Sequence, residues 1–333
     1  MTIKPQAQGM LGATALALAG LLATAGGAQA AATGATATTA LHGTRIALGA
    51  TSGLYGNAFT EAPNGTVFFS RGSVVYAVEG NRAPVIALHA GRTVLALAAT
   101  DADLFVGTGL LVTEYSRANG SQVRHWTLTS PATVTSAGLD VVGGTVWAWT
   151  DWATDGSGFQ YAQVDRIHPS SSAVHVVDKD AFPADMSADG AGLYFETVHG
   201  VTDDLARANP TTSAVQYRQA PVDAPLALAG GRVDLLAFGT NAVDVLSYNA
   251  STLALVSSKR VPETDDSIVG TGLGLLVLAR RSTATVGVLN VATGGTSRAL
   301  LTPGAYQLLN GPAVIEATGL HGTRADLFLV RIS

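Results

Sequence analysis

Three of the four tryptophans in this 333-residue chain, Trp147, Trp149 and Trp152, fall within six residues, and Asp151 and Asp155 are interleaved with them. Aromatic faces stack on sugar or aromatic ligands, and neighbouring carboxylates accept hydroxyl donors or hold cations. Alternation along a strand puts Trp147 and Trp149 on one side. They either fill a wedge between packed sheets, leaving Trp152 exposed, or form a stacking platform. The ligand-binding candidates here are Trp149, Asp151, Trp152 and Asp155, with Asp151 to Gly158 expected as a loop. A second pattern occurs twice, as His199-Gly200-Val201-Thr202-Asp203-Asp204-Leu205 and as His321-Gly322-Thr323-Arg324-Ala325-Asp326-Leu327. A neutral imidazole oriented by a carboxylate is a metal ligand or a general base. The plainer alternative is a shared turn, with His and Gly at a loop apex and the Asp closing onto backbone amides. His199, Asp203, Asp204 and His321 join the candidates on this basis, although Leu41-His42-Gly43-Thr44-Arg45 shows how readily the string arises. A third feature is an acidic set expected in loops: Asp151, Asp155, Asp180, Asp203, Asp204, Asp223, Glu263, Asp265 and Asp266. Hard oxygen ligands suit Ca²⁺. No D-x-D-x-D-G loop is present, so no metal ligand is assigned.

Short strands must carry these residues. Tight turns recur at Asn64-Gly65, Asp101-Ala102-Asp103, Gly143-Gly144, Asp189-Gly190, Gly230-Gly231, Gly272-Leu273-Gly274 and Asn310-Gly311, each followed by an alternating apolar run. Such residues supply positive φ for hairpins. A second register superposes Ser116, His168, Asn209, Asn249 and Asn290, each opening a polar turn, at spacings of 52, 41, 40 and 41 residues. A period near forty, read as three strands with a fourth after the polar turn, predicts an all-β, seven-bladed β-propeller of four-stranded antiparallel blades. One blade is longer, and its extra residues fall at Asp151 to Gly158. The chain ends as a third strand, Leu327 to Ile332, is completed. Arg45 to Leu48 is the expected fourth strand, closing the ring from the N-terminus and removing an unpaired edge.

Residues 1–30 have the parts of a secretory signal: Lys4, an apolar stretch from Met10 to Ala25, and Ala28-Gln29-Ala30 as a cleavage site. The expected organisation is a signal peptide at 1–30, a disordered Ala/Thr/Gly leader at 31–40 and the propeller at 41–333. The expected location is secreted, or periplasmic where an outer membrane exists. No further apolar run predicts a membrane span in the mature chain. The chain contains no cysteine, which excludes disulfides and thiol nucleophiles. A net charge of −5 without a basic stripe argues against a nucleic-acid partner. Hydrophobic residues make up 47% and charged residues 13%, in keeping with strands buried on both faces.

On its repeat period, its polar turns and its signal peptide, the chain resembles secreted bacterial propellers of the broad quinoprotein-like and YVTN-repeat type. Asn119-Gly120 is followed by Trp126, two residues beyond the quinoprotein spacing, and Thr293-Gly294 by no tryptophan, which argues against a bound quinone. Asp151-Trp152 reverses the WD order. The resemblance implies that loops joining second to third strands, and fourth strands to the next blade, line one functional face. G-x-S-x-G, H-E-x-x-H, P-loop and Rossmann patterns are absent, while carboxylates paired from distant blades are invisible to sequence spacing. The expectation is a module that binds a protein, glycan or small-molecule ligand through its loop-rich face. The alternatives are a metal-assisted lyase or hydrolase using His199 or His321, and a structural envelope or matrix component.

Overall fold

A computed structural model describes residues 41–50, 58–80, 82–129, 134–153, 160–168, 170, 173–181, 187–189, 192–199, 202–221, 226–229, 231–238, 243–261, 267–270, 275–280, 285–290, 296–300, 314–321 and 324–332, with side chains described within 58–260. The chain divides into Met1–Ala37, none of it described, and Thr38–Ser333, which holds every strand below. The expected signal peptide and leader, and the turn Asn310-Gly311, lie outside the described residues.

The described residues form 27 strands and no helix. After β1 (Leu41–Ala50), the first blade is β2 (Phe59–Glu61), β3 (Thr66–Arg71), β4 (Val74–Glu79) and β5 (Val85–His89). The second is β6 (Ala96–Ala99), β7 (Asp103–Gly107), β8 (Leu111–Ser116) and β9 (Gln122–Thr127). The third is β10 (Val134–Val142), β11 (Thr145–Ala153), β12 (Gln160–Ile167) and β13 (Val174–Ala181). The fourth is β14 (Ser187–Asp189), β15 (Gly192–His199), β16 (Thr202–Ala208) and β17 (Val215–Gln219). The fifth is β18 (Leu226–Ala229), β19 (Arg232–Phe238), β20 (Val243–Asn249) and β21 (Leu255–Val261). The sixth is β22 (Ser267–Gly270), β23 (Leu275–Arg280), β24 (Thr285–Asn290) and β25 (Thr296–Leu300). Last come β26 (Val314–His321) and β27 (Arg324–Ile332).

Each blade is an antiparallel meander, and the first strands of successive blades lie side by side from β2 through β6, β10, β14, β18 and β22. This is an all-β array of repeated four-stranded antiparallel blades resembling propeller folds. Blades three and four are joined into one sheet where Ala181 of β13 pairs with Thr197 of β15. The segment Arg45–Leu48 is part of a longer pairing, in which β1 runs antiparallel to β27 from Leu41↔Ile332 to Ala50↔Arg324 with an irregularity between Ala47 and Gly49.

The described core is a set of apolar slabs between neighbouring blades. One lies between blades one and two around Phe68, Leu97 and Leu104; another lies between two and three around Phe105, Trp126 and Val146. Trp147, Phe195 and Ala206 centre the slab between three and four, and Tyr194, Leu235 and Leu253 the one between four and five. Tyr194 and Phe195 are adjacent on β15, both fully buried, each entering a different slab. A middle strand buried on both faces explains the high apolar content.

The tight turns follow the expected chemistry at Gly65, Gly143, Gly144 and Gly231, which have φ of 80°, 56°, 75° and 76°. The turn at Asp101-Ala102-Asp103 is a correction. No residue there has positive φ; instead the Thr100 hydroxyl oxygen accepts from Asp103 N (2.9 Å) and Ala102 N (3.3 Å). The polar turns superpose in hydrogen bonding as well as in sequence. Gly120, Ser213 and Leu253 each donate to the carbonyl four residues earlier and sit at φ of 69°, 62° and 53°. Asn209 Oδ1 accepts from Thr211 N and Thr212 N, and Asn249 Oδ1 from Ser251 N and Thr252 N.

These turns are also where one blade holds the next. In blade four, Tyr194, Arg207 and Gln216 form a cross-strand row. Tyr194 Oη donates to Ala250 O (2.8 Å), Arg207 Nη1 to Ser251 O (3.3 Å) and Gln216 Nε2 to Thr252 O (3.0 Å). The same row in blade three is Trp147, Arg166 and His175. There Arg166 Nη1 donates to Ser213 Oγ (2.9 Å), and Thr145 Oγ1 reaches Pro210 O (3.4 Å).

Candidate functional site

The long third blade is long in its strands. β11 runs through Asp151 and Trp152 to Ala153, which pairs with Gln160, so Asp151–Ala153 are strand rather than the expected loop. The run Thr-Val-Trp-Ala-Trp-Thr-Asp-Trp keeps a β-branched or aromatic residue at most positions, and extending the ladder satisfies backbone groups that a loop would leave to water. Asp155 and the remainder up to Gly158 lie outside the described residues.

Trp147 and Trp149 share a side of β11, as alternation predicts. They differ in burial. Trp147 is fully buried in the wedge between blades three and four, and its Nε1 has no hydrogen-bond partner among the described residues. Trp149 is half-buried at the edge of the same slab. It is paired with Gly138 on β10 and Val164 on β12, and Val164 is paired with Asp178 on β13. The indole lies directly over Gly138, where any Cβ would run into the ring.

Blade four supplies the facing wall. His199 pairs with Thr202, so the register places Val198 opposite Asp203 and Thr197 opposite Asp204. This corrects the loop expectation: His199, Asp203 and Asp204 are all strand residues. His321 pairs with Arg324 in the same way, in the sheet of β26 and β27. The two histidines therefore hold equivalent register positions in two different sheets. Asp151 and Asp180 are likewise in strands, while Asp223, Glu263, Asp265 and Asp266 lie outside the described residues. Among the described residues, no group of three or more His, Asp or Glu side chains is arranged to hold a metal ion.

Asp204 is buried and Asp203 is exposed. Thr197 Oγ1 donates to Asp178 Oδ1 at 3.2 Å, linking the two blades. Tyr217 on β17 is half-buried against the same slab as Trp149. Burial, and then the charges of Asp178 and Asp204, push its hydroxyl above the usual tyrosine range. The site is thus a wedge with two half-exposed rings, Trp149 and Tyr217, and two carboxylates, Asp178 and Asp204. Rings and carboxylates in this arrangement take a cationic group or the hydroxyls of a polar ligand. Trp149 and Asp204 are among the candidates singled out from the sequence. Thr197 is not, although the strand register places it opposite Asp204. Asp178 had no such signal, because β13 is irregular on both sides of its pairing with Val164.

A different carboxylate lies between blades two and three. Asp165 is fully buried and accepts from Gln163 Nε2 at both oxygens (3.0 Å); Gln163 Nε2 also reaches Thr129 O at 2.5 Å. Burial raises this carboxyl to about 6, with the Gln163 hydrogen bonds opposing.

No protein-family model and no curated protein matches the chain. Solved structures match in fold. The WD40 domain of Toxoplasma gondii coronin is 11% identical over 88% of this chain and 87% of its own, with a TM-score of 0.59. A catalytically inactive virginiamycin B lyase from Staphylococcus aureus, solved with quinupristin, is 11% identical over 86% and 99%, with a TM-score of 0.57. BamB from Moraxella catarrhalis is 15% identical over 81% of each chain, with a TM-score of 0.51. At these identities the likeness is one of fold alone, and one fold hosts many activities. Among the described residues, no helix is long and apolar enough to cross a membrane.

Proposed function

We propose that this chain is an exported seven-bladed propeller, its ring closed by β1 as the fourth strand beside β27, that binds a ligand or protein partner through the loop-bearing end of blades three and four. Trp149 is the observation that carries the reading: its large ring is half-exposed above Gly138, in the same wedge as Tyr217, Asp178 and Asp204. Large rings held on rigid strands beside a few placed polar groups are the usual makings of a small-ligand or partner site. Asp151 and Trp152 continue β11 away from Trp149 and would extend the site toward the hairpin end. Export rests on the signal-like residues 1–30, and closure on the β1–β27 pairing.

The test is a thermal-shift screen of residues 31–333 against Ca²⁺ and other divalent ions, glycans, and cationic small molecules, since a ligand that binds only the folded chain raises its melting temperature. A ligand of this site loses its shift in Gly138→Ala, which displaces the Trp149 ring, and in Asp204→Asn. A shift that survives both variants places binding elsewhere and overturns the assignment.

A further inference from the structure

The row that holds blade three to blade four and blade four to blade five is polar in blades two and five as well, and apolar in blade one. It reads Phe105, Glu114 and Arg124 in blade two, Trp147, Arg166 and His175 in three, Tyr194, Arg207 and Gln216 in four, and Asp234, Ser247 and Ser257 in five. In blade one the same three places are Phe68, Ala77 and Val85. None of these can donate to the turn of blade two. Where Arg207 reaches across to blade five, Ala77 opens instead onto a cavity of about 640 Å³ floored by Phe68, Leu88 and Leu104 and walled by the turn Ser116–Gly120.

The cavity also carries charge. Glu79, Asp101 and Asp103 line it, against one cation, Arg117. Arg117 is already committed: its guanidinium lies 5.1 Å from the Phe68 ring centroid and donates to Thr100 O, Asp101 O and Asn64 Oδ1. Glu79 has a surface partner in Arg82 at 3.3 Å. Beside the cavity runs β5, an outer strand of its sheet, with Val85 and Ile86 61% and 56% exposed. An outer strand with an open hydrogen-bonding edge and exposed aliphatic residues can accept an added strand.

We propose that this cavity receives an arginine side chain from an extended segment of a partner protein, which supplies in trans the guanidinium that Arg166 and Arg207 supply in cis. The guanidinium meets the carbonyls of the blade-two turn and the carboxylates of Asp101 and Asp103, while flanking aliphatic residues of the segment pack on Val85 and Ile86. Planar, multi-donor recognition of this kind favours arginine over lysine. The site is separate from the wedge of blades three and four and does not depend on it.

The experiment is calorimetric titration of residues 31–333 with an acetylated, amidated Val-Arg-Val-Arg-Val peptide, its citrulline counterpart, and blocked arginine alone. The arginine peptide is expected to bind about tenfold or more tightly than either control, one decade being 1.4 kcal/mol. Ala77→Arg fills the cavity in cis and should abolish binding without lowering the melting temperature. Asp101→Asn with Asp103→Asn should weaken binding about tenfold, and it carries the test should Ala77→Arg fail to fold. Trp149→Ala should leave binding unchanged. Equal binding of the arginine and citrulline peptides, no binding of either, or wild-type affinity in the substituted chains overturns the proposal. A blocked arginine that binds as well as the peptide overturns the added strand.

Discussion

The seam between blades four and five and the seam between blades one and two are built on one template and finished differently. At the first, Tyr194, Arg207 and Gln216 donate to three successive carbonyls of the 250–252 turn, and Leu253 fills the space beneath it. At the second, Phe68, Ala77 and Val85 occupy the same row, Gly120 stands where Leu253 does, and a cavity remains. The backbone of the turn is the same at both, with matching hydrogen bonds and left-handed φ. A repeat therefore conserves its turn through local chemistry, while a few side chains outside the turn decide whether the seam is sealed or open.

The largest effect should come from Leu253, which is fully buried despite a φ of 53°. Leu253→Ala should cost about 3 kcal/mol in urea unfolding through lost burial. Gly120→Ala, at the equivalent place in the open seam, should cost only about 1 kcal/mol, through backbone strain. Equal costs would break the comparison.

The seam between blades two and three sharpens it with a buried titratable group in place of a clamp. The Asp165 carboxyl has a folded-state pKa raised from 3.8 to about 6, so between those values the native chain holds a proton that the unfolded chain has released. Stability conferred by this group is therefore highest below about pH 4 and falls as pH rises to about 6, staying lower above it. Burial raises Glu114 and Asp234 in the same direction. Asp165→Asn should stabilise the chain by about 2 kcal/mol at pH 8 and reduce the slope between pH 4 and 6, measured by denaturant titration across pH. Part of the slope remains, because burial also raises the Asp140 carboxyl to about 6. An unchanged slope would show that the carboxyl is not the group that titrates there.

Tyr194→Phe removes one clamp bond and leaves the Ala250 carbonyl without it, a loss of about 1 kcal/mol. The smallest effect is expected at Trp147, which holds the place of Tyr194 in blade three. Its buried indole N–H has no partner among the described residues, so the replacement Trp147→Phe gives up volume but also an unsatisfied donor. The net change should stay within about 1 kcal/mol, well below what the loss of a buried tryptophan to alanine costs. A loss as large as that for Leu253→Ala would mean that the indole N–H has a partner.

Much of the architecture was legible because it is local. Asn64-Gly65, Gly143-Gly144 and the Asn209 and Asn249 turns fix their own conformations through positive φ and side-chain acceptance of backbone N–H, and both registers could be read from them. The loop expectations failed where a longer-range ladder competed. The strand-forming run that ends in Trp152 does not by itself announce a partner for Asp151–Ala153, because the partner strand begins only at Gln160. Of the candidate site, Trp149 and Asp204 stood out by residue type and spacing. Asp178 and Tyr217 did not, since an irregular strand and a neighbouring blade bring them there.

By itself, the sequence determined the repeat, the turn chemistry, the apolar strands and the acidic balance, all of which depend on residues close together in the chain. Only the tertiary structure decided that Trp147 is buried while Trp149 reaches the edge of its wedge, that Ala77 faces the place where Arg166 and Arg207 clamp a neighbour, and that Asp178 meets Thr197 across two blades. Each of those outcomes depends on which faces of separate sheets are pressed together, and packing between blades is set by side chains dozens of residues apart.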